Sequence, residues 1–232
     1  MQIGTNFDTR GLLLSLDTAN HKSYDPLTMS TWKDAHGSRA EGVLGNAPTW
    51  SNAAKAFEFD GANDHVEYTR NDLNGGSFSY SECTLYMLYK PITTGYNKHG
   101  RQANLFTIEG VLEISVGDNE NGYSQISYKE GSSQWEGTTS NVITNGEWNM
   151  IVYTHSTTTS TMYVNGTSIL SNPNGGALGN GNSSYPYVTL MAKRRGRNSV
   201  TPGQLAKVEM YDRVHSLKEI QTRFGRRVIY YR

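Results

Sequence analysis

Glu147-Trp148-Asn149-Met150-Ile151-Val152-Tyr153 and Met162-Tyr163-Val164-Asn165-Gly166 are the segments that decide the fold class. Trp148, Met150 and Val152 fall on one face of an extended chain, and Ile151 and Tyr153 fall on the other, a period of two. Met162 and Val164 repeat the pattern. Asn165-Gly166 then supplies a two-residue hairpin turn, whose tight form needs positive φ at both positions. Outward from this hairpin the same rhythm recurs. Phe57 and Phe59 alternate with Ala56 and Glu58, then the turn Asp60-Gly61-Ala62-Asn63-Asp64 leads to Val66 and Tyr68. Thr84 to Tyr89 is apolar or aromatic on both faces and stops at Pro91, as a strand covered on both sides would. Leu112, Ile114 and Val116 alternate with Glu113 and Ser115, and Leu205, Val208 and Met210 close the series before Tyr211.

One helix interrupts this order. Ser216-Leu217-Lys218-Glu219 is a capping box, in which the Ser216 hydroxyl and the Glu219 carboxylate each satisfy a free backbone N–H. Ile220 and Phe224 lie four apart on one face, and Gly225 offers a left-handed stop, so the spacing predicts two turns at most. The Gly/Asn/Ser-rich stretch from Asn172 to Ser184 lies inside the strand series and reads as a surface loop. The expectation is one domain over residues 1–225 and a basic, aromatic docking tail over 226–232.

Composition narrows the class. Aromatic residues at 11% argue against disorder despite a mean hydropathy of −0.60, and 24 glycines fit many turns. No apolar run approaches the ~18–20 residues of a membrane helix, so no membrane partner is expected. Residues 1–14 show no basic segment ahead of an apolar one, so the expectation is synthesis and folding in a host cytoplasm. Cys83 is alone, which excludes an intramolecular disulfide and a cysteine-rich zinc site and predicts a buried, inert thiol. The formal charge is zero but polarised. Residues 193–232 carry eleven basic residues against Glu209, Asp212 and Glu219, a net +8, leaving −8 on residues 1–192.

Four segments, in order, resemble the concanavalin A-like, laminin-G-like jelly rolls found as lectin-like modules and in phage virion proteins. Gly11-Leu12-Leu13-Leu14-Ser15-Leu16-Asp17, with Ser23-Tyr24 and Thr31-Trp32-Lys33-Asp34, looks like the family's first strand and first loop. Phe57 to Val66 is similar to its F-D-G-x-x-D-x-V hairpin. The Trp148-led strand and the Tyr163-Val164-Asn165-Gly166 hairpin match its next pair, and Leu205 to Arg213 with Ser216 to Ile220 resembles its last strand and closing helix. The resemblance implies an all-β fold, a two-sheet antiparallel jelly-roll sandwich with one short C-terminal helix. It implies no single activity, because this fold serves enzymes, lectins and inert modules.

Glucanases of this fold carry E-x-D-x-x-E on one strand, and retaining hydrolysis needs two carboxylates about 5–5.5 Å apart. The nearest match is Glu113-Ile114-Ser115-Val116-Gly117-Asp118. Ser115 replaces the helper acid and Gly117 interrupts the strand, so this segment reads as a strand with an exposed acidic face and no catalytic residue is assigned. His21, His36, His65, His99, His155 and His215 are scattered, which suggests solvent-facing or singly hydrogen-bonded side chains. No cofactor is expected. Weak calcium candidates are Asp118 and Glu120 in an oxygen-rich loop, and Asp60 and Asp64, whose competing reading is turn formation.

Glycan binding needs an exposed aromatic face beside polar loop groups. Trp148 is excluded as core by its strand pattern, which leaves Trp135 after the Gly131-Ser132-Ser133 turn, then Tyr96 and Tyr123. The competing reading has these rings capping the sandwich or packing on a neighbouring subunit. Arg194, Arg195 and Arg197 with Arg226, Arg227, Ile229, Tyr230 and Tyr231 read as a partner interface, and nucleic acid is not favoured because no recognised module accompanies the charge. The resulting expectation is a non-enzymatic virion structural protein, a capsid decoration or fibre-associated module at the outer surface, binding other virion proteins and its own copies. The alternatives are a carbohydrate-binding module for cell-surface glycans and, last, a glycoside hydrolase.

Overall fold

The structure is a computed structural model that describes residues 9–27, 30–37, 40–70, 81–92, 103–117, 125–131, 134–138, 140–173, 178–179, 181, 183–193 and 199–227. Alternation becomes two antiparallel sheets, each of eight strands among the described residues. The first runs β14 (Thr167–Asn172), β13 (Ser160–Val164), β12 (Asn149–His155), β7 (Cys83–Lys90), β16 (Pro202–Tyr211), β5 (Ala56–Asp60) and β4 (Thr49–Ser51). β1 (Leu12–Asp17) pairs with the C-terminal half of β16. The second runs β11 (Glu136–Gly137), β10 (Gln125–Glu130), β9 (Leu112–Gly117), β8 (Ala103–Ile108), β15 (Tyr187–Leu190), β6 (His65–Thr69), β3 (Glu41–Gly45) and β2 (Thr31–Lys33). Thr31–Lys33, read from sequence as part of a loop, is an edge strand of this second sheet.

The inner faces meet in one core. Phe57 is its aromatic hub, with ring centroids of Tyr24 at 4.5 Å, Trp32 at 5.2 Å and Trp50 at 5.7 Å. β7 is buried on both faces, as its unbroken apolar run requires. Leu85, Met87 and Tyr89 enter the inter-sheet core, while Tyr86 and Leu88 face the other way into a second apolar cluster. Leu205 and Val208 both reach the inter-sheet core although three residues apart, because β16 carries a bulge between Leu205 and Lys207. Asn165 and Gly166 have φ of 53° and 77°, the hairpin geometry their sequence demands.

The second cluster lies outside the first sheet, under α1 (Leu217–Arg227). Ile220 and Phe224 press the helix onto Tyr86, Met150, Val152 and Tyr211, and the half-buried Trp148 packs here instead of in the central core. The capping box forms as read, with Ser216 N donating to Glu219 Oε2 at 2.7 Å and Glu219 N to Ser216 Oγ at 3.3 Å. The helix nevertheless has eleven residues and passes through Gly225, so the two-turn length does not hold. Amphipathic docking carries it past the glycine. No helix among the described residues is long and apolar enough to cross a membrane.

Candidate functional site

Cross-strand register assembles a polar surface on the outer face of the second sheet. One row joins Glu67, Thr189, Thr107, Glu113 and Lys129 across β6, β15, β8, β9 and β10. The next joins Asn104, Ser115, Ser127 and Gly137 across β8 to β11. With strands about 4.8 Å apart, this second row is a strip roughly 15 Å long.

The centre of the face is closed. Glu113 is 5% exposed, which corrects the expected exposed acidic face. The chain leaving β15 folds back over β8, so that Asn104 N donates to the Ser199 carbonyl at 2.8 Å and Thr201 Oγ1 donates to the Asn104 carbonyl at 2.7 Å. This return brings Lys193 Nζ to 2.7 and 2.8 Å from the two Glu113 oxygens. Asn104 Nδ2 donates to Glu113 Oε2 at 3.1 Å and to Thr107 Oγ1 at 2.8 Å, and Ser115 Oγ donates to Asn104 Oδ1 at 3.1 Å. A carboxylate with both oxygens tied to a lysine and one also to an amide is not free to attack a substrate, and its strand neighbour Ser115 has no carboxyl to offer. What lies open is the β10–β11 edge. Trp135 is half-buried there, two residues before Gly137, next to exposed Gln134.

A second polar group ties the sheets together at one end. Glu130 of β10 accepts hydrogen bonds from Tyr153 Oη at 2.5 Å and from Ser160 Oγ, and His155 Nδ1 stands 3.3 Å away. Burial pushes the Glu130 carboxyl up, but the bonds from His155, Ser160 and Tyr153 outweigh it and hold the group below the ordinary carboxylate range. Serine, histidine and glutamate together suggest a nucleophilic relay, yet the geometry is wrong for one. Ser160 Oγ and Glu130 Oε1 both face Nδ1 of His155, whereas a relay places base and orienting acid on opposite ring nitrogens. Cys83, register partner of His155, is buried with its thiol pushed up by burial and by the Glu130 charge, the inert state expected of it.

His65, His155 and His215 are buried, not solvent-facing, and His155 has several polar neighbours rather than one. Asp60 and Asp64 form the turn between β5 and β6. Asp60 Oδ1 accepts from Ala62 N at 2.8 Å, and Asp64 Oδ2 accepts from Asp60 N at 3.1 Å. Among the described residues no group of three or more His, Cys, Asp or Glu side chains is placed to hold a metal ion. Tyr96, Tyr123, Asp118, Glu120, Arg194, Arg195, Arg197, Ile229, Tyr230 and Tyr231 lie outside the described residues, as do the side chains of Arg226 and Arg227.

The sandwich has close counterparts in shape. It aligns over 94% of its length with the ligand binding domain of botulinum neurotoxin serotype D solved with N-acetylneuraminic acid, at TM-score 0.67 and 13% identity. It aligns over 93% with the binding domain of Paraclostridial Mosquitocidal Protein 1, at TM-score 0.67 and 17% identity. The chain spans about half of each of these toxin domains, 51% and 52%. Domain 4 of AbnA, a GH43 extracellular arabinanase from Geobacillus stearothermophilus solved with arabinotriose, matches over 91% of this chain and 97% of its own length, at TM-score 0.62 and 17% identity. All three are similar to this chain in fold. No curated protein matches the sequence. The sequence pattern of one family does match, from residue 60 to residue 221. That span includes the F-D-G-type turn, the Asn-Gly hairpin and the capped helix, so the chain belongs to the concanavalin A-like lectin/glucanases superfamily.

Proposed function

We propose that this chain is a non-enzymatic, lectin-like module that recognises a cell-surface glycan through the β10–β11 edge of its second sheet. The observation that carries this reading is the state of the polar face. Its one strand carboxylate resembling a glucanase acid, Glu113, is consumed by Lys193 and Asn104, while Trp135 stands at the open end of the polar strip. An aromatic ring next to the Gln134 amide offers what a sugar needs, a flat apolar face for its C–H surface and a polar group for its hydroxyls. Two of the similar structures were solved with sugars, N-acetylneuraminic acid and arabinotriose, which supports a carbohydrate as the ligand class. The module works without a bound metal or cofactor.

The setting we propose is the outer surface of a virion, with other virion proteins and further copies of the chain as partners. What supports it is the residue pattern of the tail, where Arg226-Arg227 precedes Val228-Ile229-Tyr230-Tyr231. The test of the glycan reading is a glycan array with the intact protein and Trp135→Ala. Binding weakened by at least about 1 kcal/mol is expected for the loss of an aromatic anchor. Binding that survives the substitution, or release of reducing sugar from the bound glycan, would overturn the reading.

A further inference from the structure

The closed centre of the second sheet brings an amine and a carboxamide onto one carboxylate, that of Glu113, and glycan binding at the edge makes no use of them. Lys193 Nζ and Asn104 Nδ2 both sit on Glu113 Oε2, at 2.8 and 3.1 Å. The Asn104 carboxamide is fixed at every polar atom. Its oxygen accepts from Ser115 Oγ, its nitrogen donates to Thr107 and Glu113, and its backbone is clamped by Ser199 and Thr201. Asn104 is 1% exposed and Ser115 is fully buried. A plain ion pair needs none of this.

These are the parts of an acyl transfer. An ammonium attacks nothing until it gives up a proton, and a carboxamide is inert until its oxygen is stabilised and its nitrogen is protonated. Glu113 touches both nitrogens and can take the proton from one and deliver it to the other. Ser115 already donates to the oxygen on which negative charge would build. Holding the groups in one rigid site replaces a rare bimolecular encounter, an effect worth up to ~10⁵–10⁸ M in effective concentration.

We propose that Lys193 and Asn104 join in an autocatalytic isopeptide bond promoted by Glu113. The Nζ–Cγ bond forms and the Cγ–Nδ2 bond breaks. The lysine ammonium and the carboxamide become a secondary amide and an ammonium ion, and Glu113 ends as the carboxylate it was. No oxidant, reductant or further reactant takes part. The product would staple β8 to the chain returning from β15, and the inference stands or falls independently of glycan binding.

Intact mass of the folded protein, followed by peptide mapping, tests it. The expected result is a mass short by one ammonia, about 17 Da, with a branched peptide linking residues 104 and 193. Succinimides at Asn-Gly pairs such as Asn145-Gly146 and Asn165-Gly166 lose the same mass, so the branched peptide is the deciding signal. Glu113→Gln and Lys193→Arg should both restore the full mass while circular dichroism still reports a β-sandwich. If either variant fails to fold, the wild-type peptide map decides alone. Residues 104 and 193 recovered only in unlinked peptides after long incubation at pH 7–9, or a linkage that persists in Glu113→Gln, would overturn the proposal.

Discussion

Replacing Arg223 by methionine tests how α1 is held to the sandwich. Arg223 Nη1 lies 2.7 Å from Glu209 Oε2, and both side chains are only 5% exposed. Its guanidinium also covers the rings of Tyr211 and Tyr86, at 4.9 and 5.1 Å. Removing one partner of a buried pair costs about 3–5 kcal/mol, because the other charge is left without compensation. Here Glu209 keeps a second cation, Lys207, at 2.9 Å, which moves the expectation to the low end. Losing the two ring contacts adds about 0.5–2 kcal/mol. A loss of about 4 kcal/mol follows, or roughly 8–16 °C in Tm at ~2–4 °C per kcal/mol for a domain of this size. The control is Arg223→Met with Glu209→Gln, which removes both charges and leaves Lys207 to Asp17, 2.6 Å away. Urea unfolding of the single and double variants should show a coupling of at least about 1 kcal/mol, with the double variant more stable than Arg223→Met. A single variant within about 0.5 kcal/mol of the parent, or strictly additive effects, would refute the claim that this ion pair docks the helix.

Acid should loosen the same region in two steps. Burial, with the Arg213 and Arg223 charges, lowers the His215 imidazole to about 4, so the unfolded chain, near 6.5, binds more protons between these values and stability falls as pH drops through that window. Burial raises the Glu219 carboxyl, but the bonds from Arg213 and Ser216 outweigh it and hold it at about 2, so a further loss follows as pH falls from 4.5 toward 2. Tm measured against pH should lose the first step, and only the first, in His215→Gln; an unchanged profile would contradict the assignment. Deleting Val228 to Arg232 should leave Tm of the sandwich intact while impairing oligomerisation or particle incorporation, and a destabilised yet fully incorporated truncation would refute a docking role for the tail.

Features set by neighbours in sequence were legible. Asn165-Gly166 needs only its own backbone to turn, and Ser216 with Glu219 closes a cap within four residues. Cys83 to Tyr89 announces a strand covered on both sides by having no polar face to expose. The helix end was not legible, because what carries α1 through Gly225 is the sheet beneath Ile220 and Phe224. Trp148 was misplaced for a related reason. Alternation assigns a residue to a face but does not say which face meets the other sheet and which meets a helix.

The polar residues were read least well, and their errors share one cause. From Glu113 alternation gives a position on the outer face of a sheet, and outer face was equated with solvent. The chain that covers it arrives from beyond β15, some eighty residues later in sequence, bringing Lys193 with it. The polarised charge has the same resolution in part. Of the basic residues in the C-terminal stretch, Lys193 pairs with Glu113 and Lys207 with Asp17, both acids from the negative portion of the chain. Arg213 pairs with Glu219, and Arg223 with Glu209, inside the stretch itself. An excess that looks in sequence like an invitation to an acidic partner is therefore partly spent on closing the fold, where β16 lies between β1 and β7 and the last residues must meet the first. The basic residues that these four pairs do not use are Arg194, Arg195, Arg197, Lys218, Arg226, Arg227 and Arg232, so the charge left for a partner is concentrated just after Lys193 and around the end of α1.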